Sequence, residues 1–349
     1  MTRSCTYLIV SSALLLFLGL FSVQIEAAPH PNWSVGYHEL TFNDPLDGQP
    51  MRALAFYPSN AREHVSSLEG YSIEATEDAR IAIGRYPMLM LSHGNAGTPL
   101  ALHDLITSLT RKGFVVVAVF HPGDNYKDHS RLGALSNLYG RPMQISAAIT
   151  AALGDSTLSP FVDAKQVGVI GYSAGGETAL ILSGAQPDLQ RLRRYCAEQP
   201  QDMDACKTQG ELVADREDLT AAADPRVHAL LLMAPLSLMF GRHTLSEVHV
   251  PTLIYSGDRD QLLLLDKNAG ALARKLPNHP ELRLIAGGGH FVFMAPCTDA
   301  QKLAVPGLCN DPGEVDRAAV HRSLITDAGR FFDHTLVIDG HAGMQTANQ

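Results

Sequence analysis

The sequence has little positive charge and nowhere concentrates it. Lys and Arg number 27 against 36 Asp and Glu, a formal net charge of -9, and no basic block, heptad run or internal repeat occurs. That argues against nucleic acid and anionic membrane as partners, since both need clustered cations. Charged residues make up only 18% of the chain against 46% hydrophobic ones, too apolar a balance for disorder and ample for a sizeable core. Cysteine is scarce, five in 349 residues, and neither C-x-x-C nor H-x-x-x-H spacing accompanies it, so a zinc site is poorly supported. Proline-, glycine- and serine-rich linkers are missing too, and 28–349 reads as one domain behind a leader.

The leader is "MTRSCTYLIVSSALLLFLGLFSVQIEAAPHP": a positive start at Arg3, an apolar stretch from about Tyr7 to Val23, then small residues at Ala27 and Ala28. This order describes a signal peptide, 1–27, cut near Ala27. The apolar stretch is near the lower limit of a spanning helix, so a retained anchor is the alternative, but no basic stop-transfer flank follows. The mature chain is expected to be secreted or periplasmic, with no stable membrane span, in an oxidising environment. Cys5 precedes the apolar stretch. Cys196, Cys206, Cys297 and Cys309 form an even set grouped as two close pairs, each flanking one irregular polar segment. Of the three possible pairings, the local bridges Cys196–Cys206 and Cys297–Cys309 are favoured.

Beyond the leader, "WSVGYHELTF" and "MRALAFYP" flank the turn "NDPLDGQP" and read as an antiparallel hairpin. From Tyr86 the pattern changes to short apolar strands, from "YPMLMLSHG" through "FVVVAVF", "QVGVIGYS", "VHALLLMAP" and "PTLIYSGD" to "ELRLIAGGGH". They alternate with helical stretches such as "LALHDLITSLTRKG" and "PMQISAAITAALGD", the latter starting at Pro142. Continuous apolar strands separated by helices imply an α/β fold, a mostly parallel sheet covered on both faces. A helix at roughly Asp316 to His334 would close the layer. Between about Gln186 and Asp224 the chain turns polar and carries one cysteine pair. An insertion there would lie over the carboxyl ends of the strands, as a cap above a ligand site or as a solvated surface excursion.

"GYSAGG" supplies chemistry. G-x-S-x-G between a strand and a helix is the nucleophile-elbow pattern, in which the glycines clear a sharp turn so that Ser173 projects into the cleft. A serine hydroxyl is a poor nucleophile at neutral pH and needs an adjacent base. His290 follows the last strand in a glycine-rich turn, and the acid should come from a strand end between the two. "VPTLIYSGDRDQ" offers Asp258 and Asp260; the need to turn at Gly257 before reaching back favours Asp260. The amides of Asn95, in "LSHGNAG", and of Ala174, next to the serine, are the expected oxyanion donors. In this reading His93 braces its turn, and His121 lines the pocket.

Together "LSHGNAG", "HPGDN", "GYSAGG", "YSGDRD" and "GGGHFVFMAPC" resemble the α/β-hydrolases grouped as predicted dienelactone hydrolases and platelet-activating-factor acetylhydrolase-like esterases. The resemblance runs from about Val35 to His334 and implies an α/β-hydrolase fold with a serine hydrolase activity on esters. Carried over, it gives Ser173, Asp260 and His290, with Asn95 and Ala174 at the oxyanion positions. Two departures bound it. Dienelactone hydrolases proper use a cysteine nucleophile where this chain has serine. The acetylhydrolases of animal plasma take their acid from the preceding strand end, which here reads "LLLMAPLSLMF" and holds no carboxylate. The expectation is therefore a small-molecule or lipid-like ester substrate and an acyl-enzyme, with no metal or organic cofactor required. A catalytically silent binding protein on this fold and a peptidase with the same triad are the alternatives.

Overall fold

The computed structural model describes residues 33–336, apart from 203–205 and 207–212. The expected leader lies outside the described residues. In order, β1 (Ser34–Asn43) and β2 (Pro50–Ser59) are followed by β3 (Val65–Leu68), β4 (Tyr71–Glu74) and β5 (Thr76–Glu77). The core then runs β6 (Tyr86–Ser92), α1 (His103–Arg111), β7 (Val115–Val119), α2 (Leu135–Gly154), β8 (Val162–Tyr172) and α3 (Ala174–Leu182). After α4 (Leu189–Glu198) come β9 (Val227–Met233), β10 (Thr252–Gly257), α5 (Ala269–Lys275) and β11 (Glu281–Ile285). Two short helices, α6 (Asp299–Ala304) and α7 (Pro306–Cys309), precede the long α8 (Arg317–Leu336).

Nine strands form one sheet in the order β11-β10-β9-β8-β6-β7-β2-β1-β5. From β11 to β7 neighbours run parallel, while β1 and β2 pair antiparallel from Ser34 opposite Ser59 to Asn43 opposite Pro50, the expected hairpin. Alternation along the buried strands sends side chains to both faces. Met88 and Met90, with Val115 and Val117, belong to a core covered by α2, α3 and α5. Leu89 and Leu91, with Val116 and Ala118, belong to a second core with α1 and α8. Both faces of the central strands are buried, which is why these strands read as apolar runs.

Two features differ from the sequence reading. The helix expected from Pro142 begins seven residues earlier, at Leu135, with Pro142 inside it. Proline is costly in a helix interior, but α2 buries Leu135, Leu138, Ile145, Ala148 and Ile149 along one face, and this packing outweighs the lost hydrogen bond. The polar stretch Val65–Glu74 forms the hairpin β3–β4, turning through Glu69 (φ 49°) and Gly70 (φ 84°).

Among the described residues no helix is long and apolar enough to cross a membrane. Cys196 is bridged to Cys206 and Cys297 to Cys309, the two local pairings. Disulfides mark an oxidising compartment.

Candidate active site

β8 ends at Tyr172 and α3 begins at Ala174, so the whole turn rests on Ser173, which takes φ 55°, ψ -118°. A non-glycine residue held there is strained, and its surroundings must over-determine it. The Ser173 amide donates to the Met233 carbonyl (2.9 Å), and its own carbonyl accepts from the amides of Gly176 (2.9 Å) and Leu236 (3.0 Å). The flanking glycines are a matter of space: a Cβ at Gly171 would overlap the Gly175 carbonyl, and one at Gly175 would overlap that of Ser92.

His290 follows β11 and brings its imidazole to the serine. Nε2 lies 3.0 Å from Ser173 Oγ, and Nδ1 lies 2.8 Å from Asp260 Oδ2. Both His290 and Asp260 are buried. A carboxylate can only accept, so the ring proton sits on Nδ1 and the Nε2 lone pair faces the hydroxyl. The other oxygen of Asp260 accepts from the amides of Leu262 (2.9 Å) and Leu263 (2.8 Å), which fixes the carboxylate plane. The Tyr172 hydroxyl donates to the His290 carbonyl (3.1 Å). Asp258, the other carboxylate of the turn, points elsewhere and accepts from the Gly287 amide (2.7 Å). Gly257 is needed because a Cβ there would collide with the Gly288 carbonyl: the acid turn and the histidine loop touch backbone to backbone.

The loop after β6 abuts the serine. A Cβ at Gly94 would stand 3.0 Å from Ser173 Cβ. Among the described residues neither the Asn95 nor the Ala174 amide donates to a backbone carbonyl. These are the two amides expected to receive an oxyanion: Ala174 follows Ser173 directly, and Asn95 follows Gly94, which packs against it.

Beneath this loop lies a group of buried polar residues that the sequence reading did not assemble. Arg141 of α2 donates to Asp124 Oδ2 (2.6 Å), to Ser92 Oγ (3.1 Å) and to the His93 carbonyl. Asp124 also accepts from Asn137 Nδ2 (2.8 Å) and from the Ala96 amide (2.6 Å). Burial alone would raise the Asp124 carboxyl, but Arg141, the Ala96 amide and Asn137 outweigh it and hold it below the ordinary aspartate range. His121, expected in the pocket, is instead buried, between Gln144 Oε1 (2.8 Å) and Ser92 Oγ (2.9 Å). Burial and the neighbouring Arg141 push its imidazole well below the usual histidine range, and push His93 down to about 4. Both rings are therefore neutral at neutral pH. The signals that could have found this group, and that the sequence reading did not use, are Asp124 within "HPGDN" and the lone arginine of an otherwise uncharged helix.

This sheet order, with helices on both faces and a strained serine turn between β8 and α3, is the α/β-hydrolase fold. No protein-family model matches the chain, and no curated protein matches it. Among solved structures it is similar to a ferulic acid esterase from Streptomyces cinnamoneus, with a TM-score of 0.63 at 18% identity over 89% of this chain and 92% of that one. At that identity the likeness is one of fold.

Proposed function

We propose that the chain is an exported single-domain serine hydrolase that cleaves carboxylic esters through an acyl-enzyme. The observation that carries this is the unbroken hydrogen-bonded series Ser173–His290–Asp260, at 3.0 Å and 2.8 Å, aimed at a strained serine. Ser173 Oγ attacks the ester carbonyl carbon as its proton passes to His290 Nε2. Asp260 holds the Nδ1 proton and stabilises the imidazolium. The oxyanion is received by the Asn95 and Ala174 amides, each such donor contributing roughly 3 kcal/mol in the transition state. Collapse breaks the bond to the alkoxy oxygen, which leaves as alcohol with the proton from His290. Water, deprotonated by His290, then attacks the acyl carbon and releases the acid and free Ser173.

The resemblance to dienelactone hydrolase-like and acetylhydrolase-like esterases supports the ester class, as does a structural neighbour that is a ferulic acid esterase. Two disulfides support export. The excursion at about 186–224 is read as a cap. In support, its Val213 carbonyl accepts from the Leu135 amide (2.9 Å) at the start of α2, and its Asp188 amide donates to the Met239 carbonyl (3.1 Å) beyond β9.

The test is reaction with a fluorophosphonate, followed by turnover of p-nitrophenyl esters from acetate to palmitate and of a peptide anilide. Ester turnover with labelling at Ser173 is expected, and Ser173→Ala should lower kcat by roughly 10⁶-fold with the fold intact. An unlabelled protein would point to a silent binder, and anilide turnover exceeding ester turnover to a peptidase.

A further inference from the structure

Asn95, whose amide is the proposed oxyanion donor, lies between two peptide groups, and each of them is held from the buried side of the loop. The peptide joining Gly94 to Asn95 contains both the Gly94 carbonyl and the Asn95 N–H. It is trans, as no cis bond occurs among the described residues, so the two point in opposite directions. The Gly94 carbonyl accepts from the Gly97 amide (3.1 Å) and from His93 Nδ1 (2.7 Å). The His121 amide donates to His93 Nε2 (3.4 Å), which leaves the ring proton on Nδ1, where the Gly94 carbonyl needs it. The next peptide, Asn95 to Ala96, is held through its N–H by Asp124 Oδ1 (2.6 Å), with Ala96 at φ 52°. Asp124 is anchored in turn by Arg141, and both side chains are almost wholly buried.

We propose that Arg141, Asp124 and His93 are positioning residues that fix the Asn95 amide toward the oxyanion before substrate arrives. This rests on the acyl-transfer reading of Ser173. A buried ion pair is weak evidence of stabilisation in itself, since apolar replacements of similar volume often serve as well. What this pair adds is direction: Arg141 also donates to the His93 carbonyl, so a single guanidinium ties α2 to both sides of the loop. A donor aimed in advance contributes to the transition state and little to the bound substrate. Loss of the aim should therefore appear in kcat and not in KM.

The test uses the full chain and three variants. Asp124→Asn keeps an acceptor for Ala96 but leaves Arg141 uncompensated. Asp124→Leu with Arg141→Met removes both charges together and so keeps the interior free of an unpaired ion. His93→Phe keeps an aromatic ring and removes its hydrogen bonds. In each folded variant kcat on a p-nitrophenyl ester should fall about 10²-fold, the order for one oxyanion donor, with KM within about threefold. Affinity for an alkylboronic acid, whose tetrahedral adduct carries the oxyanion, should fall in parallel, while affinity for the product carboxylate should hold. A folded double variant with unchanged kcat and boronate affinity would overturn the proposal, as would equal losses in KM and kcat. The unsubstituted protein offers a separate reading by amide NMR. The Ala96 proton should be shifted downfield and slow to exchange with or without boronate, and the Asn95 proton should shift only when boronate binds. Free exchange at Ala96 would overturn the proposal even if no variant folds. Absence of fluorophosphonate labelling in the unsubstituted protein would instead count against the acyl-transfer reading.

Discussion

At the scale of single residues, the acid turn offers two carboxylates two positions apart, and geometry separates them. Asp260 Oδ2 meets His290 Nδ1, while Asp258 accepts from the Gly287 amide and is exposed. Asp260→Asn should lower kcat by about 10⁴-fold, because the amide stabilises the wrong tautomer of His290. Asp258→Asn should keep kcat within about tenfold, since an amide oxygen can still accept from Gly287. Steady-state kinetics of the two variants checks this, and the reverse order would exchange the roles. Ser173, His290 and the choice of Asp260 were legible because each sits in a short glycine-marked turn at a strand end. Arg141 and Asp124 were not. An arginine in a helix ordinarily reads as part of a solvated face, and its partner lies 17 residues away across a turn.

Among the elements, the central strands β6, β7, β9 and β10 and the second half of β8 were legible for a simple reason: they are almost wholly buried and read as apolar runs. The β3–β4 hairpin was hidden because its alternation is mostly polar. What holds it is tertiary: Glu69 at its tip pairs with Arg52 and with Lys127 (2.6 Å), and accepts from Tyr126. The early start of α2 was hidden by Pro142, whose cost the packing of that helix overrides. The cysteine pairs were legible as pairs, and the structure adds what the second one supports. The chain leaving Cys309 returns to the histidine loop: the Gly313 amide donates to the Gly287 carbonyl (3.1 Å), and Pro312 fills the space a side chain at Gly289 would need. Arg317 stitches this return by donating to Asp311 (3.1 Å) and to the Leu308 carbonyl (2.9 Å). In the chain-entropy picture, a bridge across about a dozen residues stabilises by roughly 3 kcal/mol. The chain that leaves the bridge also packs against the loop of His290, the proposed base. Cys297→Ser with Cys309→Ser should lower kcat by on the order of 10- to 100-fold at temperatures where the protein stays folded, since about 1 Å of misplacement costs that much. The Cys196/Cys206 double variant should alter mainly KM or stability. Rates and melting curves for both variants decide the matter: a shift in Tm with unchanged kcat makes the Cys297–Cys309 bridge a staple and no more.

For the whole molecule, the sheet places neutral, buried imidazoles under the proposed catalytic loop, and that sets how the fold responds to acid. His93 is held down at about 4, and His121 well below its ordinary value, chiefly by burial; His103, lowered by burial too, adds to them. In the unfolded chain each titrates near about 6.5. Between those values the unfolded state binds protons that the folded state refuses, so stability must fall as pH falls. The slope is up to ~1.4 kcal/mol per pH unit for each such histidine. The carboxylates act in a lower window. Asp124, held below its ordinary value by Arg141 against the opposing effect of burial, keeps its contribution until pH drops below the aspartate range. Loss of stability should therefore begin near neutrality, well before the carboxylates titrate. Denaturant titrations at pH 7, 6 and 5 should show a steady decline. His121→Gln can still bond to Ser92 or Gln144 but cannot take up a proton, so it should flatten that decline by about one proton's worth of slope. An unchanged slope in that variant, or stability that rises on acidification over the same interval, would mean that the buried rings do not govern the acid limit of the fold.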